Sequence, residues 1–160
     1  MEAWAPALDD VARHIPRRTR DTRTPGSDAL LGTFTSSTTP TDAQAQAVID
    51  TAVNAVVAAA GAIPAVTDPN GPLVQAAAKT AAEWRAAADI EVAYPNRDAD
   101  LVVYAQLDQR AKDAMTALLR AMVSTQTGAV EPVPIWQSPP PPAWADLSPG
   151  SGVDWLAGHG

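Results

Sequence analysis

Residues 41–61 read TDAQAQAVIDTAVNAVVAAAG, and the reading of this stretch decides the fold. Thr41, Asp42, Ala43 and Gln44 form a capping-box pattern, in which a Thr hydroxyl and a Gln side chain satisfy the orphan amides of a helix start. Gly61 predicts the stop, as a left-handed residue just past the last helical turn. Between them Ala45, Val48, Ile49, Ala52, Val53, Val56, Val57 and Ala60 cover nearly half the circumference at ~100° per residue. A face that wide predicts contact with more than one neighbouring helix.

Downstream, a turn-rich bridge (Thr67, Asp68, Pro69, Asn70, Gly71) leads to Pro72, which sits where a first helical residue would. A second long helix is expected to run from there to about Ala93. Its stripe is Leu73, Val74, Ala77, Ala78, Ala81, Trp84, Ala88 and Val92. The alanines permit close helix approach, and Trp84 supplies most of the bulk. Tyr94, Pro95 and Asn96 stop it. A third long helix is expected to start near Arg97 to Ala99 and end at about Val123. Leu101, Tyr104, Ala105, Ala111, Met115, Leu118, Leu119 and Met122 lie on one face, with Asp108 in its middle. Upstream, Leu8, Val11, Ala12 and Ile15 fall at helical spacing between Pro6 and Pro16, a short helix with acids in its first turn. The expected fold is all-α, a small bundle of a short N-terminal helix plus three long helices over residues 1–127.

Two segments do not fit that pattern. From Pro16 to Thr41 the composition turns to Arg, Thr, Ser, Pro and Gly, with a strand-prone patch at Leu30, Leu31, Gly32, Thr33, Phe34 and Thr35. This reads as a long loop holding at most one short strand. A connection of about 25 residues in a compact domain is functional or docked on something else. Residues 128–160 hold seven of the 15 prolines and three of the five tryptophans, and neither Lys nor Arg occurs after Arg120. They read as an extended Pro/Trp-rich C-terminal arm, with Pro139 to Pro142 enforcing polyproline II locally.

Composition excludes several classes of function. The 160 residues contain no cysteine, so disulfides, thiolate nucleophiles and Cys-ligated metals are out. The only histidines are His14 and His159, which rules out a histidine metal cluster. No glycine-rich phosphate loop, paired-carboxylate motif or nucleophile elbow is present. The reading is therefore not an enzyme, with no catalytic residue and no cofactor. A net charge of −7 argues against general binding to nucleic acid or anionic membranes. No stretch approaches the length of a membrane span, and Met1 to Trp4 do not open a targeting signal. The expectation is a soluble protein made inside a cell.

The notable residues are arginines and tryptophans. Arg13, Arg17, Arg18, Arg20 and Arg23 place five of the 11 basic side chains within one short stretch. Guanidinium forks suit phosphates and carboxylates equally. One reading is a solvated loop with ion pairs to the acid-rich helices; the other is a partner-binding or DNA-adjacent role. Interleaved aromatics for base stacking are absent. For Asp108 the economical account is an ion pair with an arginine such as Arg85 or Arg17. His14 reads as a helix C-terminal cation or a packed side chain. Trp136, Trp144 and Trp155 in the arm read as docking residues, because Trp is the residue most enriched in interface hot spots.

The order of parts resembles the head–tail connector (adaptor) proteins of long-tailed bacteriophages. The resemblance runs from Leu8, Asp9, Asp10, Val11, Ala12, Arg13, His14, Ile15, Pro16, Arg17, Arg18 and Thr19, through Gly32, Thr33, Phe34 and Thr35, to Thr39, Pro40 and Thr41 opening the Val/Ala-rich helix. It continues through the stretch Ile90, Glu91, Val92, Ala93, Tyr94, Pro95 into the third helix, covering roughly residues 5 to 123. None of these motifs is a catalytic signature; the likeness is one of arrangement. It implies a structural virion protein at the neck, a homo-oligomeric ring of twelve copies beneath the portal protein. Such a ring extends the channel through which packaged duplex DNA passes and docks the next component, a head–tail stopper or tail-terminator protein. Partner-binding positions under this implication are Trp136, Trp144 and Trp155, with the arm clasping the portal, and Arg17, Arg18, Arg20 and Arg23. The length and composition of the arm depart from the family pattern. The competing expectation is a cellular helical adaptor whose Pro-rich tail binds a groove-type recognition module.

Overall fold

A computed structural model describes residues 2–95 and 101–127, and the regular secondary structure there is helical. The elements are α1 (Leu8–Ala12), a single 3-10 turn (Pro16–Thr19), α2 (Asp42–Ala60), α3 (Gly71–Ala93) and α4 (Leu101–Thr127). The expected all-α bundle of one short and three long helices is therefore present. Helix α3 is central, packing against α1, α2 and α4, while α2 also reaches α1 and α4. Its sequence explains the position. Ala86, Ala87, Ala88, Ile90 and Glu91 are all buried, so most of the circumference of the C-terminal half of α3 is covered, with Arg85 and Val92 left on its exposed side. Small side chains let several neighbours approach one helix at close range. Val11, Ile15, Ile49, Val56, Val74, Ile90 and Leu118 supply the bulk between these alanines.

The capping box forms. The Thr41 hydroxyl accepts from the Gln44 amide at 3.4 Å, and Gln44 Oε1 accepts from the Thr41 amide at 3.0 Å. At the other end Gly61 has φ 83° and ψ −159°, a positive φ with an extended ψ instead of the expected left-handed helical pair. Its amide still closes the last turn on the Val57 carbonyl at 2.8 Å.

Several expectations are corrected. Helix α1 stops at Ala12, and Pro16 opens the 3-10 turn as well as ending what precedes it. On α4 the buried residues are Leu107, Ala111, Leu118 and Met122, with Val103, Ala114, Met115 and Ala121 packed alongside. Tyr104 and Leu119, expected on that face, are 36% and 41% exposed. On α3, Leu73 and Val92 are exposed and Ile90 takes the buried register. The expected start of the third helix, and the arm with Trp136, Trp144 and Trp155, lie outside the described residues.

The loop between the 3-10 turn and α2 contains no strand; the strand-prone patch makes one isolated antiparallel bridge, Arg20 to Leu30. Hydroxyls organise the rest. Thr19 Oγ1 accepts from the Gly32 amide at 3.2 Å, and the Thr22 amide and hydroxyl both donate to the Ser37 carbonyl at 2.8 Å. Thr38, 3% exposed, accepts from the Thr35 amide at 3.0 Å, and its hydroxyl lies 2.6 Å from the Pro40 carbonyl oxygen. Threonine is suited to this, since its hydroxyl competes with the backbone for local hydrogen bonds. Phe34, 3% exposed, and fully buried Pro40 pin the loop to the core. The loop is docked on its own helices.

Candidate functional site

The 3-10 turn brings two consecutive arginines onto one carboxylate of the central helix. Arg17 donates through Nε to Glu91 Oε1 at 3.2 Å and through Nη2 to Oε2 at 3.0 Å, a bidentate fork. Arg18 Nη2 donates to the same Oε2 at 2.5 Å. The Arg18 and Glu91 side chains are 4% and 3% exposed, whereas Arg17 is 40% exposed. Burial pushes the Glu91 carboxyl up, but the hydrogen bonds and charges of Arg18 and Arg17 outweigh it and hold the group below the usual glutamate range. Two guanidiniums against one carboxylate leave a local positive excess in a chain that is acidic overall.

The remaining arginines stay outside. Arg20 pairs with Asp28 at 2.8 Å, both well exposed. Arg23 is exposed, and its backbone amide donates to Asp21 Oδ1 at 2.9 Å. The Asp21 carboxyl lies below the usual aspartate range, held there first by a hydrogen bond from Thr24 and then by the Arg23 amide. Arg17, Arg18, Arg20, Thr22 and Thr39 line a cavity of about 370 Å³. The predicted arginines are thus brought together in part: Arg17, Arg18 and Arg20 share this cavity, and Arg23 is not among its lining residues.

A second polar cluster ties α1 to α3. Asp10 bonds to the Ala7 amide, to Arg13 and to Lys79 Nζ at 2.8 Å. The Lys79 hydrogen bond, followed by that from Ala7, holds the Asp10 carboxyl below its ordinary value. His14 Nε2 lies 3.2 Å from Glu83 Oε2, and its ring packs on Trp84 at a centroid distance of 3.8 Å. Arg110 of α4 sits over the Trp84 ring at 4.8 Å. His14 is therefore a packed side chain, as one of its two readings held. Asp108 pairs with Lys112 on its own helix at 2.6 Å, and not with Arg85 or Arg17. Arg85 is engaged instead by Asp89.

The sequence reading missed Glu91, Thr22 and Thr39. The signal for Glu91 was a lone acid between Ile90 and Val92 on the most alanine-rich helix, in a chain with five clustered arginines and no other evident place for them. Nothing local marked the two threonines, which meet the arginines only through the fold of the loop. Among the described residues there is no group of three or more His, Asp or Glu that could hold a metal ion, and no helix long and apolar enough to cross a membrane. No protein-family model, no curated protein and no solved structure matches the chain.

Proposed function

We propose that this chain is a head-to-tail adaptor of a bacteriophage virion, a ring-forming subunit beneath the portal protein that extends the DNA channel and docks the next neck component. The observation that carries the reading is the set of large apolar side chains left on the surface of the long helices. Leu73 and Val92 of α3 and Leu119 of α4 are 62%, 56% and 41% exposed. A core built largely of alanine buries modest area, and a subunit of this kind gains stability by covering such side chains against copies of itself. The loop supports the same reading: it is anchored through Phe34 and Pro40, with Leu30 and Leu31 exposed on it. The acidic balance suits a channel that lets duplex DNA slide, because every neutralised phosphate adds counterion-release affinity. The ring number, the clasp of the arm on the portal and the virion location come from the resemblance in arrangement alone.

The experiment is sedimentation of the purified chain, alone and mixed with the portal protein encoded in the same genome. The expected result is a near-stoichiometric ring that co-sediments with the portal. A small species that ignores the portal would overturn the reading in favour of a cellular helical adaptor with a Pro-rich ligand tail.

A further inference from the structure

We propose that the cavity lined by Arg17, Arg18, Arg20, Thr22 and Thr39 binds a phosphoryl group. This does not depend on the adaptor reading. Arg18 carries the argument. Its Nη2 is satisfied by Glu91, yet its Nε–H is buried and has no hydrogen-bond acceptor. A guanidinium N–H taken out of water and left without an acceptor is costly, and since Arg18 is among the residues that line the cavity, a small turn of its guanidinium toward an oxygen bound there removes that cost.

The surrounding donors favour a tetrahedral oxyanion. Arg17 spends one edge of its fork on Glu91 and, at 40% side-chain exposure, keeps its other N–H groups for a ligand. Arg20 is held by a single contact to Asp28, between two exposed side chains, and is free to turn inward. The Thr22 hydroxyl donates to the Ser37 carbonyl, so across its long 3.5 Å contact with Thr39 Oγ1 the Thr39 hydroxyl is the donor, and a stronger acceptor arriving in the cavity can draw that proton away. These donors come from the 3-10 turn, the residues just after it and the segment before α2. They therefore converge from several directions. A planar carboxylate uses two coplanar donors, and Glu91 already fills that role; a phosphoryl group accepts from many directions. The cavity volume of about 370 Å³ admits such a group. Its source is a free phosphate or the backbone of a nucleic acid, and both present the same oxygens.

The test uses the full ¹⁵N-labelled chain, titrated with inorganic phosphate at constant ionic strength against chloride, with acetate and a short duplex DNA as parallel arms. The readouts are the Arg18 Nε–H cross-peak and equilibrium dialysis of labelled phosphate. The expected result is a saturable shift of that cross-peak with phosphate, and binding about tenfold weaker in Arg20→Gln. Arg20→Gln retains the buried pair and keeps the fold, whereas an Arg18 variant would confound binding with unfolding. If the duplex moves the same cross-peak at lower phosphate-group concentration, the source is a nucleic acid; if only inorganic phosphate moves it, the source is the free ion. No shift beyond the chloride control together with no retained phosphate, equal response to acetate, or undiminished binding in Arg20→Gln each overturns the proposal.

Discussion

Arg18 and Glu91, 73 positions apart, meet inside the protein at 2.5 Å, their side chains 4% and 3% exposed. A buried pair of this kind is stabilising only while both members are present, because either alone is an uncompensated charge out of water. Glu91→Ala is therefore expected to lower unfolding free energy by about 3 kcal/mol or more. Arg17→Ala, removing a fork that is partly solvated, should cost about 1 kcal/mol or less. The combination Arg18→Met with Glu91→Leu should cost much less than Glu91→Ala, since apolar side chains of similar volume replace both charges. Urea denaturation of the four proteins measures this. Equal small losses in Glu91→Ala and Arg17→Ala would mean that the pair is solvated.

The same carboxylate makes stability depend on pH in a known direction. Glu91 ionises more readily in the folded chain than its ordinary value of 4.5, because the Arg18 and Arg17 hydrogen bonds overcome the opposing effect of burial. Its contribution is fully present above that value and is lost as pH falls through the depressed folded value. Asp10, lowered from 3.8 by Lys79 and the Ala7 amide, acts with the same sign. Unfolding midpoints should therefore fall as the medium is acidified below about pH 5, and fall less steeply in Glu91→Gln, where the Asp10 and Asp21 parts remain. Parallel pH profiles for the two proteins would remove Glu91 as the cause.

How much of this was legible beforehand depended on the range of the interaction. Helix α2 was readable because Thr41, Gln44 and Gly61 act within one turn of their own helix ends. The buried face of α4 was misjudged because Tyr104 and Leu119 are as apolar as the residues that are actually inside. The α3 surface it meets is mostly alanine, and that partner selects the register through Leu107, Ala111 and Leu118. Glu91 was invisible as a site residue for a related reason: an acid on an apolar helix makes sense only once the loop returns two arginines to it. The hydroxyl bonds from Thr19, Thr22 and Thr38 likewise depend on the path of the loop and leave no local pattern.

Gly71 is required for a steric reason. A Cβ there would overlap the Ala65 carbonyl oxygen, in the turn where the Asp68 amide donates to Ala65 at 3.0 Å and the Gly71 amide to Asp68 at 2.9 Å. The obstacle is backbone and cannot rotate away. Gly71→Ala should cost about 1–3 kcal/mol, the range of overpacking in a closed site. A thermal melt suffices to check it, and a melting temperature equal to that of the parent would show that the turn yields freely.

Trp84 joins three elements, receiving the His14 ring at 3.8 Å and the Arg110 guanidinium at 4.8 Å. Arg110→Ala should cost about 0.5–1 kcal/mol, the value of a cation over an indole at a partly wet site. Trp84→Leu should cost more, since it also removes the stack with His14. In Trp84→Leu the second change, Arg110→Ala, should have almost no further effect. A double-mutant cycle by urea denaturation measures that coupling, and additive losses would mean that Arg110 acts elsewhere.

The adaptor reading makes its own demand on the exposed arginines. Reversing Arg17 and Arg18 together is a poor probe, because Arg18 belongs to the core and the chain would unfold. Arg20 and Arg23 are exposed, and their reversal leaves the buried pair intact. The double change Arg20→Glu with Arg23→Glu should keep far-ultraviolet circular dichroism and the melting profile close to those of the parent, with stability changes of about 0.5 kcal/mol or less. Under the proposed role it should weaken co-sedimentation with the portal protein, and truncation after Gly128 should weaken it too while the helical unit within Met1–Ala129 stays folded. The two outcomes separate the surfaces. Loss with the truncation alone assigns portal contact to the arm, loss with the reversed charges alone assigns it to the loop, and full binding in both removes loop and arm from the interface.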